Sequence, residues 1–312
     1  MRYAYYPGCS LHQSGEEYDH SLHAVCEKLD VELVEIEKWV CCGSTAAHNK
    51  SKLLGASLPM ANLALLPKME LDEVVVPCPE CFSKLKTAQH NVKEDKNFRK
   101  DVADVIQTEC NEDALVSHPL KILSQEPLLS KIPTAIQRDL SNLKVVCYYG
   151  CLITRPAKIA AFDNCEYPET MDRVLQAAGV TTLDWDYKTA CCGASLAMSK
   201  PDIVVNLSHK LIEGAKAVGA DAIVVACPFC HMNLDARQPD MEKEFGTAPE
   251  MPVLYFTQLM AYSFGVEQKE LEVNKHMTDT QSVFDKINAP TEEETAPTEK
   301  EEDFFEELHS HK

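Results

Sequence analysis

Residues 74–85 read VVVPCPECFSKL and residues 223–234 read IVVACPFCHMNL. Each opens on a short β-branched run of buried-strand length and passes through Cys-Pro-x-Cys. Two further pairs surround them. YAYYPGC (3–9) matches VVCYYGC (145–151), and CCGSTAAH (41–48) matches CCGASLAM (191–198). Cys151 lies 142 residues beyond Cys9, Cys191 lies 150 beyond Cys41, and Cys227 lies 149 beyond Cys78. Near-constant offsets mark a duplicated unit.

Within each unit, strand-length runs (VELVEI at 31–36, EVVVP at 73–77, KVVCYY at 144–149, DAIVVA at 221–226) alternate with segments of helical periodicity such as 51–69 and 169–179. Alternation of this kind predicts an α/β fold with a mostly parallel sheet flanked by helices. Cys9, Cys78, Cys151 and Cys227 each close a strand, which puts the cysteines in the loops at the sheet's carboxyl edge. The division expected is 1–142 for the first unit and 143–265 for the second. Residues 266–312 form an acidic tail, with 14 acidic against 5 basic residues, read as disordered. Phe304, Phe305 and Leu308 are the only candidates for a docking motif within it.

Composition narrows the chemistry. The net charge of −19 argues against nucleic acid and anionic membrane surfaces. No apolar run reaches the roughly 18 residues of a membrane helix, and none resembles a signal peptide, so a cytoplasmic protein without membrane insertion is expected. Fourteen cysteines in 312 residues are too dilute for a disulfide scaffold and read as metal ligands or redox groups. Ten of them fall in the repeat. Cys9, Cys41, Cys42, Cys78 and Cys81 form one set, and Cys151, Cys191, Cys192, Cys227 and Cys230 the other. A tetrahedral zinc or a cubane cluster uses four thiolates, so a fifth in both halves needs explaining. Adjacent side chains diverge on a strand. Cys41 and Cys42 therefore reach one centre only if the chain turns, as Gly43 allows, and Gly193 repeats the device. Iron–sulfur ligation is the favoured reading, with structural zinc or thiol-only chemistry as alternatives. Cys26, Cys110, Cys147 and Cys165 lack repeat partners and are read as packing residues.

The doubled pattern Cys…CCG…CPxC, with YYPGC at the start and YYGCLITRP opening the second half, resembles the cysteine-rich CCG-domain family in its heterodisulfide reductase B branch. The resemblance covers residues 1–265. It implies two non-cubane 4Fe-4S clusters, each held by the five cysteines of one half. It also implies a complex with the flavin-containing A and ferredoxin-like C components of heterodisulfide reductase, and reduction of a small-molecule disulfide. In methanogens that disulfide joins coenzyme M and coenzyme B. An anionic substrate would need basic residues near the centres, and Arg155, Lys158, Lys50 and Lys52 are the candidates. His48 and His231 adjoin the cysteine loops as candidate proton donors. A second reading is an electron-relay subunit of a lactate, glycolate or succinate type flavoprotein. A third is a zinc-bound scaffold without activity.

Overall fold

The computed structural model describes residues 1–44 and 47–288. Among these, eight strands form two parallel sheets. The first contains β1 (Arg2–Tyr5), β2 (Glu32–Glu35), β3 (Glu73–Val75) and β4 (Leu115–Ser117) in the order β2-β1-β3-β4. The second contains β5 (Lys144–Tyr148), β6 (Thr181–Leu183), β7 (Ala222–Val225) and β8 (Val253–Tyr255) in the order β6-β5-β7-β8. Strand order and direction repeat, as the duplicated sequence requires. The central strands carry uninterrupted apolar runs because helices cover both of their faces: Val74 and Val75, like Ala222 to Val225, are fully buried.

This order fixes where the cysteines go. The chain leaves β1 for β2 on one side, then crosses back to β3 on the other, and the crevice at that reversal opens at the carboxyl ends of β1 and β3. Cys9 follows β1 and Cys78 follows β3. In the second unit Cys151 and Cys227 follow β5 and β7 in the same way.

The units interlock more than a cut at 142/143 suggests. The helix after β8 (Phe256–Ser263) packs on the first unit's helix Glu16–Lys28. Conversely, the helices after β4 (Pro119–Leu123 and Leu128–Ala135) pack on the second unit's helix Thr170–Ala177. Each half thus lends its last helices to the other. At this seam the Tyr18 and Tyr255 rings stack 4.4 Å apart between centroids, and Ser21 and Thr257 hydroxyls share a 2.6 Å hydrogen bond.

The start of the expected tail is corrected. Residues 266–288 belong to the folded body: Leu271, Val283, Phe284 and Ile287 are buried, a helix spans Gln281–Ile287, and Lys286 pairs with Asp221 at 2.6 Å. The four apolar side chains are spaced among charged residues, which hides them in a composition count. The remainder of the tail, with Phe304, Phe305 and Leu308, lies outside the described residues.

Candidate metal centres

In each unit the backbone makes the same basket. Helices Pro79–Glu94 and Pro228–Asp235 start on the proline of CPxC, where the missing N–H costs nothing. Both CPxC thiols therefore sit at a helix N-terminus. The adjacent-cysteine loop comes down on them. Cys42 Sγ lies 3.1 Å from Cys81 Sγ, and Cys192 Sγ lies 3.6 Å from Cys230 Sγ. Gly43 and Gly193 have φ of +79° and +81°, so the expected turn is present. Their N–H groups donate to Cys41 Sγ at 3.4 Å and Cys191 Sγ at 3.3 Å. The turn splits each pair: Cys42 and Cys192 are buried, Cys41 and Cys191 exposed.

Cys9 and Cys151 complete the baskets from the other side of the crevice. The glycines before them, Gly8 and Gly150, are close-approach positions as well as positive-φ ones. A Cβ on either would stand 3.0 Å from Cys81 Sγ or Cys230 Sγ. The signal was present in the repeated Gly-Cys of YYPGC and YYGC. Two tyrosines of the same motif hold the opposite wall. Tyr6 donates its hydroxyl to the Val40 carbonyl at 2.9 Å, and Tyr148 donates to the Ala190 carbonyl at 2.6 Å. Val40 and Ala190 each precede the cysteine pair, so a tyrosine of the motif helps to pin each loop. Asn233 was not foreseen either; its amide reaches the Cys192 carbonyl at 3.2 Å and Cys192 Sγ at 3.6 Å.

The thiols in one basket titrate unlike one another because they share protons. A hydrogen bond from Cys81 lowers Cys42, and the same bond raises Cys81. Cys230 lowers Cys192 likewise, and a hydrogen bond from Cys151 pulls Cys191 down to about 6. Burial, then the charges of Cys41, Cys42 and Cys78, raise Cys9. Each set thus offers thiolates beside thiols that give up protons when a cation arrives. All fourteen cysteines are free thiols. The donor set fits a thiolate-ligated metal centre in each unit, with five sulfurs available to it. Of the four unpatterned cysteines, Cys26, Cys110 and Cys147 are buried, and burial pushes Cys26 up to about 12. Cys165 is only half-buried, with its sulfur 3.8 Å from Glu166, so it is not a core residue.

The other candidates separate. His48 is exposed, with Nδ1 3.4 Å from the Gly43 carbonyl at the first loop. Proton donation from His231 is replaced by a packing role. Its ring is buried on Tyr255 at 4.5 Å, its Nε2 bonds the Val253 carbonyl, and burial holds it well below the usual histidine range. Arg155 reaches Thr189, two residues before Cys191, but also pairs with Glu166 at 2.8 Å. Lys50 is exposed beside the first loop, and Lys52 lies over the Phe98 ring at 4.8 Å. Lys158 lines a cleft that contains no cysteine.

The cysteine-rich domain model CCG matches twice, over residues 3–86 and 145–235. The chain belongs to the CCG cysteine-rich domain family. Both matched stretches contain all five cysteines of their basket. Among curated relatives, the chain is 28% identical to the 8-methylmenaquinol:fumarate reductase membrane anchor subunit of Wolinella succinogenes, over 89% of this chain and 97% of that protein. It is also 28% identical to the B subunit of the ferredoxin/F420H2-dependent CoB-CoM heterodisulfide reductase of Methanosarcina acetivorans, over 86% of this chain and 91% of the relative. A solved structure of a hypothetical protein from Helicobacter pylori shares the CCG chain's fold with a TM-score of 0.72 at 10% identity. The alignment covers 89% of this chain and 52% of that one, so the chain spans about half of it. Despite the name of the first relative, no helix among the described residues is long and apolar enough to cross a membrane.

Proposed function

We propose that this chain is an iron–sulfur oxidoreductase subunit that cleaves a small-molecule disulfide into two thiols. The ligands proposed are Cys9, Cys41, Cys42, Cys78 and Cys81 for one non-cubane 4Fe-4S cluster, and Cys151, Cys191, Cys192, Cys227 and Cys230 for the other. The observation that carries the reading is the placement of both baskets beside one seam. At that seam Gly15, six residues after Cys9, approaches the second unit so closely that a Cβ on it would stand 3.6 Å from Pro228, inside the second CPxC. Breaking an S–S bond consumes two electrons and two protons, and an iron–sulfur cluster delivers electrons singly. Paired centres would supply one electron each.

The chain's own residues do the rest. Exposed Cys41 and Cys191 leave one side of each basket open to a substrate, while the tyrosine-pinned loops keep the inner thiols covered. His48 and Arg155, at the loop mouths, are the proposed proton donor and anion contact. Electrons would come from a flavin-containing A component through a ferredoxin-like C component, as the family resemblance implies.

The test is anaerobic purification with co-purifying partners, followed by reduction assays on coenzyme M–coenzyme B disulfide, glutathione disulfide and cystine. Turnover of one of them is expected. The fumarate reductase relative favours a second reading, in which the chain relays electrons without turning over a disulfide. An iron-loaded complex that reduces none of the three yet passes electrons to or from a flavoprotein establishes that reading instead. A preparation with zinc and no iron would defeat both.

A further inference from the structure

A second feature stands apart from the cysteine baskets. A cleft of about 560 Å³ opens between β4 with helix Pro79–Glu94 of the first unit and residues 158–162 of the second. Its size is that of a small-molecule site. Lys86, Lys93, Lys121 and Lys158 line it, together with Glu73, Glu112 and Asp113. The three carboxylates are already engaged: Glu73 accepts from the Ser117 hydroxyl, Glu112 pairs with Arg99, and Asp113 pairs with Lys93 at 3.0 Å. Among the described residues, Lys86, Lys121 and Lys158 have no carboxylate within 4.0 Å. In a chain with 49 acidic against 30 basic residues, three unneutralised ammonium groups around one cleft run against the general charge. Lys86 and Lys121 are half-buried, which makes their mutual repulsion costly. Burial, and then Lys121 and Lys93, lower Lys86 accordingly.

We propose that this cleft binds a multiply charged oxyanion of phosphate or carboxylate type, gripped by Lys86 and Lys121 from the first unit and Lys158 from the second. Lys86 approaches from a long helix, Lys121 from the short helix after β4, and Lys158 from helix Ala157–Ala160. Three ammonium groups on three separate elements suit a ligand with charge on more than one face. The floor is aromatic: the His118 ring sits edge-on to Phe82 at 6.4 Å and to Phe162 at 6.2 Å. His118 itself stays neutral, since burial brings it down to about 3 against the smaller upward pull of its 2.9 Å contact with the Pro77 carbonyl. The lysines are therefore the anion contacts. A ligand held this way would tie the two units together across a face that the tyrosine stack does not cover.

Titration calorimetry on the anaerobically purified full chain tests this with pyrophosphate, citrate and acetate as probes. Pyrophosphate or citrate should bind saturably at one site per chain, more weakly as salt rises, and acetate should not. The tighter of the two identifies the oxyanion class. Lys86→Gln, Lys121→Gln and Lys158→Gln should each weaken binding about tenfold, a loss of about 1.4 kcal/mol. Lys28→Gln, on the exposed end of another helix, should leave it unchanged. Unchanged iron content in all four variants shows that the fold is retained. No saturable binding of either multivalent probe at millimolar concentration overturns the proposal, as do equal affinities across the four variants or acetate binding as tightly as pyrophosphate.

Discussion

The two units share a strand order and a basket, yet each is secured differently. In the first, the Val40 carbonyl ahead of the cysteine pair accepts from Tyr6 and also from the Asn62 amide at 2.9 Å, and Asn62 accepts in turn from the Val40 N–H. In the second, the corresponding carbonyl of Ala190 is held by Tyr148, while Asn233 grips the buried cysteine instead. A second contrast lies at the ends of the edge strands. At the repeat offset of 149 residues Val75 corresponds to Val224, and strand register pairs Val75 with Ser117 and Val224 with Leu254, so His118 occupies the position that Tyr255 takes in the second unit. Duplication preserved the cysteines of the basket and let their supports diverge. A centre needs fixed sulfurs, and several hydrogen-bonding arrangements can fix them.

The strongest break in this symmetry should come from removing an inner thiol. Cys42→Ala should lose about half of the iron per chain and only one of the two cluster signatures in electron paramagnetic resonance. Cys192→Ala should lose the other. If either variant kept full iron and unchanged spectra, that cysteine would not be a ligand.

Next in size is the C-terminal segment, which covers the second unit beyond its last strand. Truncation after Asn274 removes Val283, Phe284 and Ile287, and with them the edge-on contact of Phe284 with Tyr262 at 4.9 Å. Loss of a single buried Phe costs about 3–5 kcal/mol. The truncated chain should therefore melt well below the full chain in anaerobic thermal denaturation. An unchanged melting temperature would show that these contacts contribute nothing.

His118 gives the first unit its own share of acid sensitivity, beside that of buried His231 in the second. Its folded value of about 3 lies below the ordinary 6.5, so the unfolded chain takes up the proton first as pH falls. The stability contributed is complete above pH 6.5 and is lost progressively from there towards pH 3, at up to about 1.4 kcal/mol per pH unit. Urea denaturation between pH 7.5 and 5 should show a shallower pH dependence in His118→Phe, which removes the buried imidazole, than in the natural chain. Equal slopes would place the acid sensitivity elsewhere.

The smallest effect is the sharpest comparison. Tyr148→Phe leaves the Ala190 carbonyl without its donor, whereas Tyr6→Phe leaves Val40 still held by Asn62. The second-unit variant should lose about 1 kcal/mol more than its partner. Equal losses would mean that Asn62 does not back up Tyr6.

The sequence was most informative where chemistry repeats. Ten cysteines at near-constant offsets, the glycine after each pair and the β-branched runs before each CPxC were enough to predict two α/β units with their thiols at the carboxyl edge. Each of these features is local, and each has a partner at a known distance along the chain. His231 was legible only as a titratable neighbour of Cys230; nothing nearby in sequence announced that Tyr255 and Val253 would bury it. The buried face of 266–288 was hidden for a related reason, since Phe284 and Ile287 stand among charged residues and find their apolar partners at Tyr262 and beyond.

What the sequence determined by itself, then, is the fold of each half and which ten cysteines the repeat sets apart, because strand pattern and cysteine spacing are written in consecutive residues. Only the tertiary structure decided which thiol of each pair is covered, how the last helices cross from one unit to the other, and where Lys86, Lys121 and Lys158 converge. Those outcomes depend on packing and charge between residues 35 to more than 200 positions apart, as with Lys86 and Lys121, or Ser21 and Thr257. No periodicity along the chain encodes separations of that kind.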